Sequence, residues 1–242
     1  MATAKGTVKK TSLEQFSRPR SSGLIALALD EDDTLISAAI TDGSCDVMLF
    51  SDGGKVTRFS ETDVRAMGRT ARGVRGMRLP EGERLISMLI PEEGSKILTA
   101  SERGYGKRTQ IDEFPSYRRG GQGVIAMVTN ERNGKLVGAI QVLDGEEIML
   151  ISDQGTLVRT RVDEVSSLSR NTQGVMLIRL AKDESLVGLE RVQDPGDDEE
   201  DSDLEAEQGT ADSEAGETIE EVPSQNDETD QPPADETNNP QE

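Results

Sequence analysis

A period of about fifty residues runs through this sequence and limits its fold more than any single motif does. A glycine leading an apolar run occurs as Gly23-Leu-Ile-Ala-Leu, Gly73-Val-Arg-Gly-Met, Gly123-Val-Ile-Ala-Met and Gly174-Val-Met-Leu-Ile. A leucine-led run follows each as Leu35-Ile-Ser-Ala-Ala-Ile, Leu85-Ile-Ser-Met-Leu-Ile, Leu136-Val-Gly-Ala-Ile and Leu186-Val-Gly-Leu-Glu. The starts fall at 23, 73, 123 and 174, and at 35, 85, 136 and 186. Chance does not hold two series in step over three intervals, so the chain is a repeat protein. Two further segments complete the unit. A glycine-opened basic segment precedes the glycine-led one: Gly6-Thr-Val-Lys-Lys-Thr, Gly54-Lys-Val-Thr-Arg-Phe, Gly104-Tyr-Gly-Lys-Arg-Thr and Gly155-Thr-Leu-Val-Arg-Thr. The last segment runs Val47-Met-Leu-Phe-Ser, Ile97-Leu-Thr-Ala-Ser and Ile148-Met-Leu-Ile-Ser.

Each segment is short, rich in β-branched and other apolar residues, and bounded by Gly, Asp, Ser or Asn, which is the signature of strands. The glycine-led and leucine-led segments are apolar at successive positions, so both are expected to be buried on two faces between stacked sheets. Four strands per fifty-residue unit describe a propeller-type blade, and such blades must stack to bury both faces. The reading is therefore all-β: a propeller-like repeat of about four four-stranded blades over residues 1–192. Met1–Ala4 matches the end of the last segment (Leu98-Thr-Ala), and the final unit stops near Val192. Both edges predict a piece of a longer repeat domain, truncated at its N-terminal side.

The net charge of −20 is unevenly placed. From Asp194 onward there are 20 acidic residues and no Lys or Arg, which leaves 47 − 20 = 27 acids against 27 bases before it. Residues 193–242 are therefore expected to form a disordered acidic tail, too polar to offset chain entropy. The rest is neutral, so clustering of its cations matters more than their sum. The sequence has no His, which removes the commonest general base and metal ligand. Its single Cys45 makes no internal disulfide and no thiolate cluster, and a reducing cytoplasm suits it. No apolar run is long enough to span a membrane, and no catalytic or metal-binding set is expected.

The cations fall at matching places in each unit. One set lies on the basic segment: Lys9, Lys10, Arg58, Lys107, Arg108, Arg159 and Arg161. A second lies in the loop before and into the glycine-led segment: Arg18, Arg20, Arg65, Arg69, Arg72, Arg75, Arg118, Arg119 and Arg170. Register across the repeat predicts one basic track. Arg forks suit phosphate, and the glycines around Arg118-Arg119-Gly120-Gly121 allow backbone N–H groups to approach an anion. Tyr117 is placed to lie against a sugar or base. The expected partner is double-stranded DNA, held through its phosphates without sequence preference.

These residues also resemble a known family. The stretches GTVKKT, CDVMLFSDGGKVTRF, VRAMGRTARGVRGMRL, GYGKRT, GTLVRTRV and SRNTQGVMLIR are similar to the C-terminal domain of DNA gyrase A, across essentially all of residues 1–192. The resemblance implies a β-pinwheel, in which blades exchange strands, and an outer rim that wraps DNA to support negative supercoiling. It implies a bacterial, nucleoid-associated setting and a heterotetramer with gyrase B and the N-terminal part of gyrase A. ATP and Mg would be used in other domains or chains, with no cofactor in this one. The family's Gln-Arg-Arg-Gly-Gly-Arg/Lys-Gly box has only a variant copy here, Tyr117–Gly123, with Tyr117 and Gln122 at the departures. Neither Tyr105 nor Tyr117 matches the setting of the DNA-cleaving tyrosine, so this chain alone is expected to cut nothing. The topoisomerase IV C-terminal domain and a protein-docking propeller are the alternatives.

Overall fold

The computed structural model describes residues 1–192. The acidic tail at 193–242, and the disorder expected of it, lie outside the described residues. The described residues form fifteen short strands and four 3-10 turns. They are β1 (Ala2–Thr3), β2 (Thr7–Val8), β3 (Leu35–Ser37), β4 (Asp46–Ser51), β5 (Lys55–Ser60), β6 (Val74–Arg75), β7 (Leu85–Leu89), β8 (Lys96–Ser101), β9 (Tyr105–Gln110), β10 (Val124–Ile125), β11 (Leu136–Val142), β12 (Glu147–Ser152), β13 (Leu157–Arg161), β14 (Val175–Met176) and β15 (Leu186–Val192). They form sheets of order β3-β1-β2-β6, β7-β4-β5-β10, β11-β8-β9-β14 and β15-β12-β13. The first three sheets have four strands and the fourth has three among the described residues.

The order of strands shows how the repeats interlock. In each sheet the leucine-led strand is at one edge, followed by the last segment and then the basic segment. The fourth strand comes from the glycine-led segment of the next unit: β6 joins β2, β10 joins β5 and β14 joins β9, all antiparallel. The glycine-led segment of the first unit, Gly23–Leu27, has no sheet partner among the described residues and stays irregular. Its Ile25 is 67% exposed.

Burial corrects one expectation. The glycine-led strands are two residues long, and their second residues, Arg75, Ile125 and Met176, face solvent. They are outer edges rather than enclosed strands. The strands buried on both faces are β4 and β8, from the last segment, because each sits second in its sheet and has a neighbouring sheet on each side. Alternation along β4 shows this directly: Val47 and Leu49 enter the core between the first two sheets, Met48 and Phe50 the core between the second and third. A third core, with Leu98, Ile148, Leu150 and Val162, lies between the third and fourth. Phe59 is buried in the first core, and Phe50 and Phe114 form an edge-to-face pair in the second, at 6.3 Å between centroids.

The exchanged strand needs glycine at its approach. Gly123 has φ +73°, and a Cβ there would meet the Val56 carbonyl oxygen at 2.2 Å. The equivalent Gly23, with φ +76° and no sheet to join, would meet nothing within 4 Å. Ala at Gly23 should therefore cost only the left-handed backbone penalty, about 1 kcal/mol. Ala at Gly123 should add overpacking, for a total of roughly 3 kcal/mol. Thermal melts of the two single variants check this; equal shifts in Tm would contradict the close approach.

Candidate nucleic-acid interface

The structure divides the predicted cations by whether the next repeat covers them. On the basic segment it buries three. Lys107 is fully buried, Lys9 is 3% exposed and Arg108 is 8% exposed. The expectation that these three face a polyanion is corrected, and the physical reason is strand exchange. β14 lies outside β9 and β6 outside β2, so the basic strand is internal to its sheet and not at the rim.

These side chains tie each repeat to the next. Lys107 Nζ donates to the carbonyls of Ser169 and Arg170, both at 2.6 Å, and to Thr172 Oγ1 at 3.1 Å. Lys9 Nζ, at the same repeat position, donates to the carbonyls of Ala26 at 2.6 Å and of Arg69. One residue further on, the cation reaches the 3-10 turn of the next unit. Lys10 Nζ meets the Glu61 carbonyl at 3.1 Å and its carboxylate at 3.3 Å. Arg58 Nη1 meets the carbonyls of Ile111 and Phe114, both at 3.2 Å, and Arg58 Nε pairs with Asp46 at 2.7 Å. Arg108 Nε meets the Val165 carbonyl at 2.7 Å, and its Nη1 pairs with Asp144 at 2.6 Å. On β13, which no further strand covers among the described residues, Arg159 and Arg161 are exposed. Arg159 pairs with Glu147 across the strands.

The loop set has a second layer of joints. Arg69, Arg119 and Arg170 occupy equivalent positions, are half-buried, and each reaches back to the preceding unit. Arg69 Nη1 donates to the Ile25 carbonyl at 3.2 Å, Arg119 Nη1 to that of Arg75 at 3.0 Å, and Arg170 Nη1 to that of Ile125 at 3.3 Å. Arg119 Nε also meets the Asp63 carbonyl at 2.8 Å. The loop backbone docks as well, with Gly120 N on the Gly76 carbonyl at 2.6 Å and Arg78 N on the Gly121 carbonyl at 2.8 Å.

The outcome is a cluster of Arg75, Arg78, Arg118 and Arg119 where the third unit's loop meets the second unit's strand. Arg75, Arg78 and Arg118 are exposed and form no ion pair among the described residues. Arg18, Arg20, Arg65 and Arg161 are exposed in the same way, and Tyr117 is 58% exposed. Arg72 is exposed but pairs with Asp30 at 2.5 Å. Sequence reasoning missed Arg78. Its signal was available, because GMRL in the second unit and LIRL in the fourth carry Arg78 and Arg179 at the same repeat position.

Asp42, Cys45 and Glu61 bring three potential metal-binding atoms within 4.8 Å of one another. Protein donors already occupy them. Glu61 accepts from Thr41 Oγ1, Gly43 N and Cys45 N, and Asp42 accepts from Ser44 N and Oγ. The Ser44 amide is the largest of the contacts that hold the Asp42 carboxyl down to about 2. The group is a clasp for the loop at residues 41–45. No helix among the described residues is long and apolar enough to cross a membrane.

Comparison with known proteins places these features in a family. The family model described as DNA gyrase C-terminal domain, beta-propeller, matches four times, at residues 1–42, 46–92, 95–142 and 146–193. The DNA gyrase A protein of Pseudomonas aeruginosa is 75% identical over 202 residues, which cover 83% of this chain and 22% of that protein. Its Escherichia coli counterpart is 54% identical over 200 residues, covering 83% and 23%. The chain thus spans about a fifth of the length of these relatives. A solved DNA gyrase A C-terminal domain aligns at a TM-score of 0.70 with 30% identity, over 78% of this chain and 64% of that one. A solved C-terminal domain of DNA topoisomerase IV aligns at 0.74 with 27% identity, over 79% and 60%.

The buried joint has a pH signature. Burial lowers the Lys107 pKa from its ordinary 10.5 to about 8. Between about pH 8 and 10.5 the unfolded chain holds a proton on this amine that the folded chain has released, so this group adds stability as pH rises through that window. Lys107→Met removes the effect. Denaturant unfolding of both proteins across the window should show the parent gaining on the variant with rising pH; a constant difference would refute the assignment.

Proposed function

We propose a function from one premise: the chain belongs to the DNA gyrase C-terminal domain family, a β-propeller family. Its role is to bind duplex DNA without sequence preference along the arginine loops and to curve it. Within DNA gyrase A this wrapping supports negative supercoiling by a type II topoisomerase. The chain itself performs no strand cleavage and takes no cofactor. Cleavage and ATP use belong to the rest of the enzyme, namely gyrase B and the N-terminal part of gyrase A, in the bacterial cytoplasm. The observation that carries this reading is the cluster of Arg75, Arg78, Arg118 and Arg119, held by backbone hydrogen bonds between two repeats.

The contacts proposed are those whose charge reaches solvent. Arg18, Arg20, Arg65, Arg72, Arg75, Tyr117, Arg118, Arg159 and Arg161 remain on the surface, joined by Arg78 and Arg179. Arg69, Arg119 and Arg170 present part of their charge while bracing the loops. Lys9, Lys10, Arg58, Lys107 and Arg108 act as joints. Magnitudes favour many modest contacts over one strong one. Non-specific affinity of about 10⁻⁴ to 10⁻⁶ M has to coexist with a bending cost of about 1–6 kcal/mol for 20–30 bp. A path over several loops meets both demands, because each adds phosphates along the curve. Supercoiling support through gyrase is favoured over the topoisomerase IV role by the 75% identity to a gyrase A protein, since the two solved domains are nearly equal in fold similarity.

The test is salt dependence. In the full chain, the triple variant R65Q/R75Q/R118Q should keep its Tm, because none of the three side chains makes a polar contact among the described residues. Its log K against log salt slope for a random duplex should flatten by about 0.9 per lost phosphate contact, or roughly 2 to 3 in all. Unchanged slope and affinity would overturn the assignment.

A further inference from the structure

The exchanged strands carry more than charge. Each outer strand places its second residue opposite the residue that follows the opening glycine of the basic segment: Arg75 faces Thr7, Ile125 faces Lys55 and Met176 faces Tyr105. Residues directly opposite in an antiparallel pair project from the same face of the sheet. The first sheet therefore shows an arginine at this point, whereas the second and third show a large apolar side chain. Ile125 is 37% exposed and Met176 is 49% exposed. A single exposed apolar residue means little, but two at the same repeat position, each fixed on an edge strand, form a pattern.

Each has a cation in its neighbourhood. Lys55 lies across the strand from Ile125, and Arg170 Nη1 donates to the Ile125 carbonyl at 3.3 Å. Next to Met176, the Arg132 guanidinium lies 5.0 Å from the centre of the Tyr105 ring, and its Nε donates to the Tyr105 hydroxyl at 3.3 Å. An apolar tip within a cationic frame matches the sugar edge of a duplex groove, where phosphates flank an apolar ribose and base edge. It is a poor match for an apolar protein groove, which would leave the flanking charges unpaired.

We propose that Ile125 and Met176, flanked by Lys55 and the Tyr105–Arg132 pair, make groove-facing apolar contacts to duplex DNA that supply a salt-independent share of binding and help set its curvature. The inference rests on the DNA-wrapping reading and deepens it. Apolar side chains pressed against or between base steps favour bent DNA, and they displace no counterions. Arginines and apolar tips thus divide the work: the first hold the backbone, the second hold the bend.

The test uses I125T/M176Q in the full chain, which keeps the β-branch at Ile125 and the side-chain length at Met176 while making both tips polar. Affinity for a random duplex is measured over a range of salt, and end-to-end distance by fluorescence transfer on a doubly labelled duplex. The expected result is a loss of affinity of about tenfold, from the burial of two apolar tips, with the salt slope unchanged and the duplex less bent. Unchanged affinity and bend would overturn the proposal, as would a loss that comes with a flatter slope. The arginine variant R65Q/R75Q/R118Q separates the two readings. If it flattens the slope while I125T/M176Q does nothing, wrapping stands and this inference fails; if it too changes nothing, the wrapping reading fails first.

Discussion

Everything in this structure follows from a strand given backward. The second, third and fourth repeats each give their glycine-led strand to the sheet of the repeat before, so none of those sheets is closed by its own fifty residues. Two hydrogen-bonded residues are enough for the attachment because the chain continues directly into a core position: Met77 after β6, Met127 after β10 and Ile178 after β14 are all buried. The loop that leads into the strand is thereby carried across the joint, and its arginines land on the neighbouring unit. A propeller of self-contained sheets would leave the same arginines on mobile loops.

The buried cations make sense in this setting. Burying a lysine is costly, and Lys107 registers that cost in its lowered pKa. What it gains is a role that no apolar residue could fill. The loop carbonyls of Ser169 and Arg170 turn inward as the loop crosses the joint and need donors. A lysine supplies three donors at the end of a flexible stem. Where the second unit has Thr57 at this position, the joint relies on Arg58 and on the wider contacts of the Phe114 turn. The same guanidinium chemistry fixes backbone oxygens at the joint and stays solvated beside it: Arg119 holds the Arg75 carbonyl, and Arg118, one residue before, is exposed.

The repeat, the strand types and the fold class can be read from spacing, because fifty-residue periodicity and apolar runs survive in one dimension. The exchange of strands cannot be derived from the residues, since a pattern of four strands per unit is the same whichever sheet receives the second. That ambiguity misplaces side chains. Lys9, Lys107 and Arg108 look like rim cations if their strand is outermost, and they become joints once β6 and β14 lie beyond it. The glycine-led segment looks enclosed because Val124, Ile125, Ala126 and Met127 are all apolar, yet only the last two are buried. An apolar run does not say on which residue a strand stops being an edge. The loop arginines Arg118 and Arg119 are legible because adjacent glycines mark the loop, but their different exposures depend on which carbonyls lie within reach.

Charge along the rim is uneven, and this bears on how a duplex would be curved. At equivalent places the second unit has Arg72 and Arg75, the third Gln122 and Ile125, and the fourth Gln173 and Met176. Only the meeting of the second and third units gathers four arginines. Arg170 stands in the fourth unit's loop with Ser169 where the third has Arg118. An even track would hold a rod as well as an arc. On the proposed reading, a dense grip followed by sparser, partly apolar contacts would act instead as an anchor and a lever: the phosphates would be fixed at one point, and each weaker contact further on would be reached only if the duplex left its straight path. Because smooth bending over a few turns costs about 1–6 kcal/mol, contacts worth about a kcal/mol each are enough to tip that balance when there are several, and too weak to do so singly. Repetition therefore matters more to this surface than the strength of any one loop.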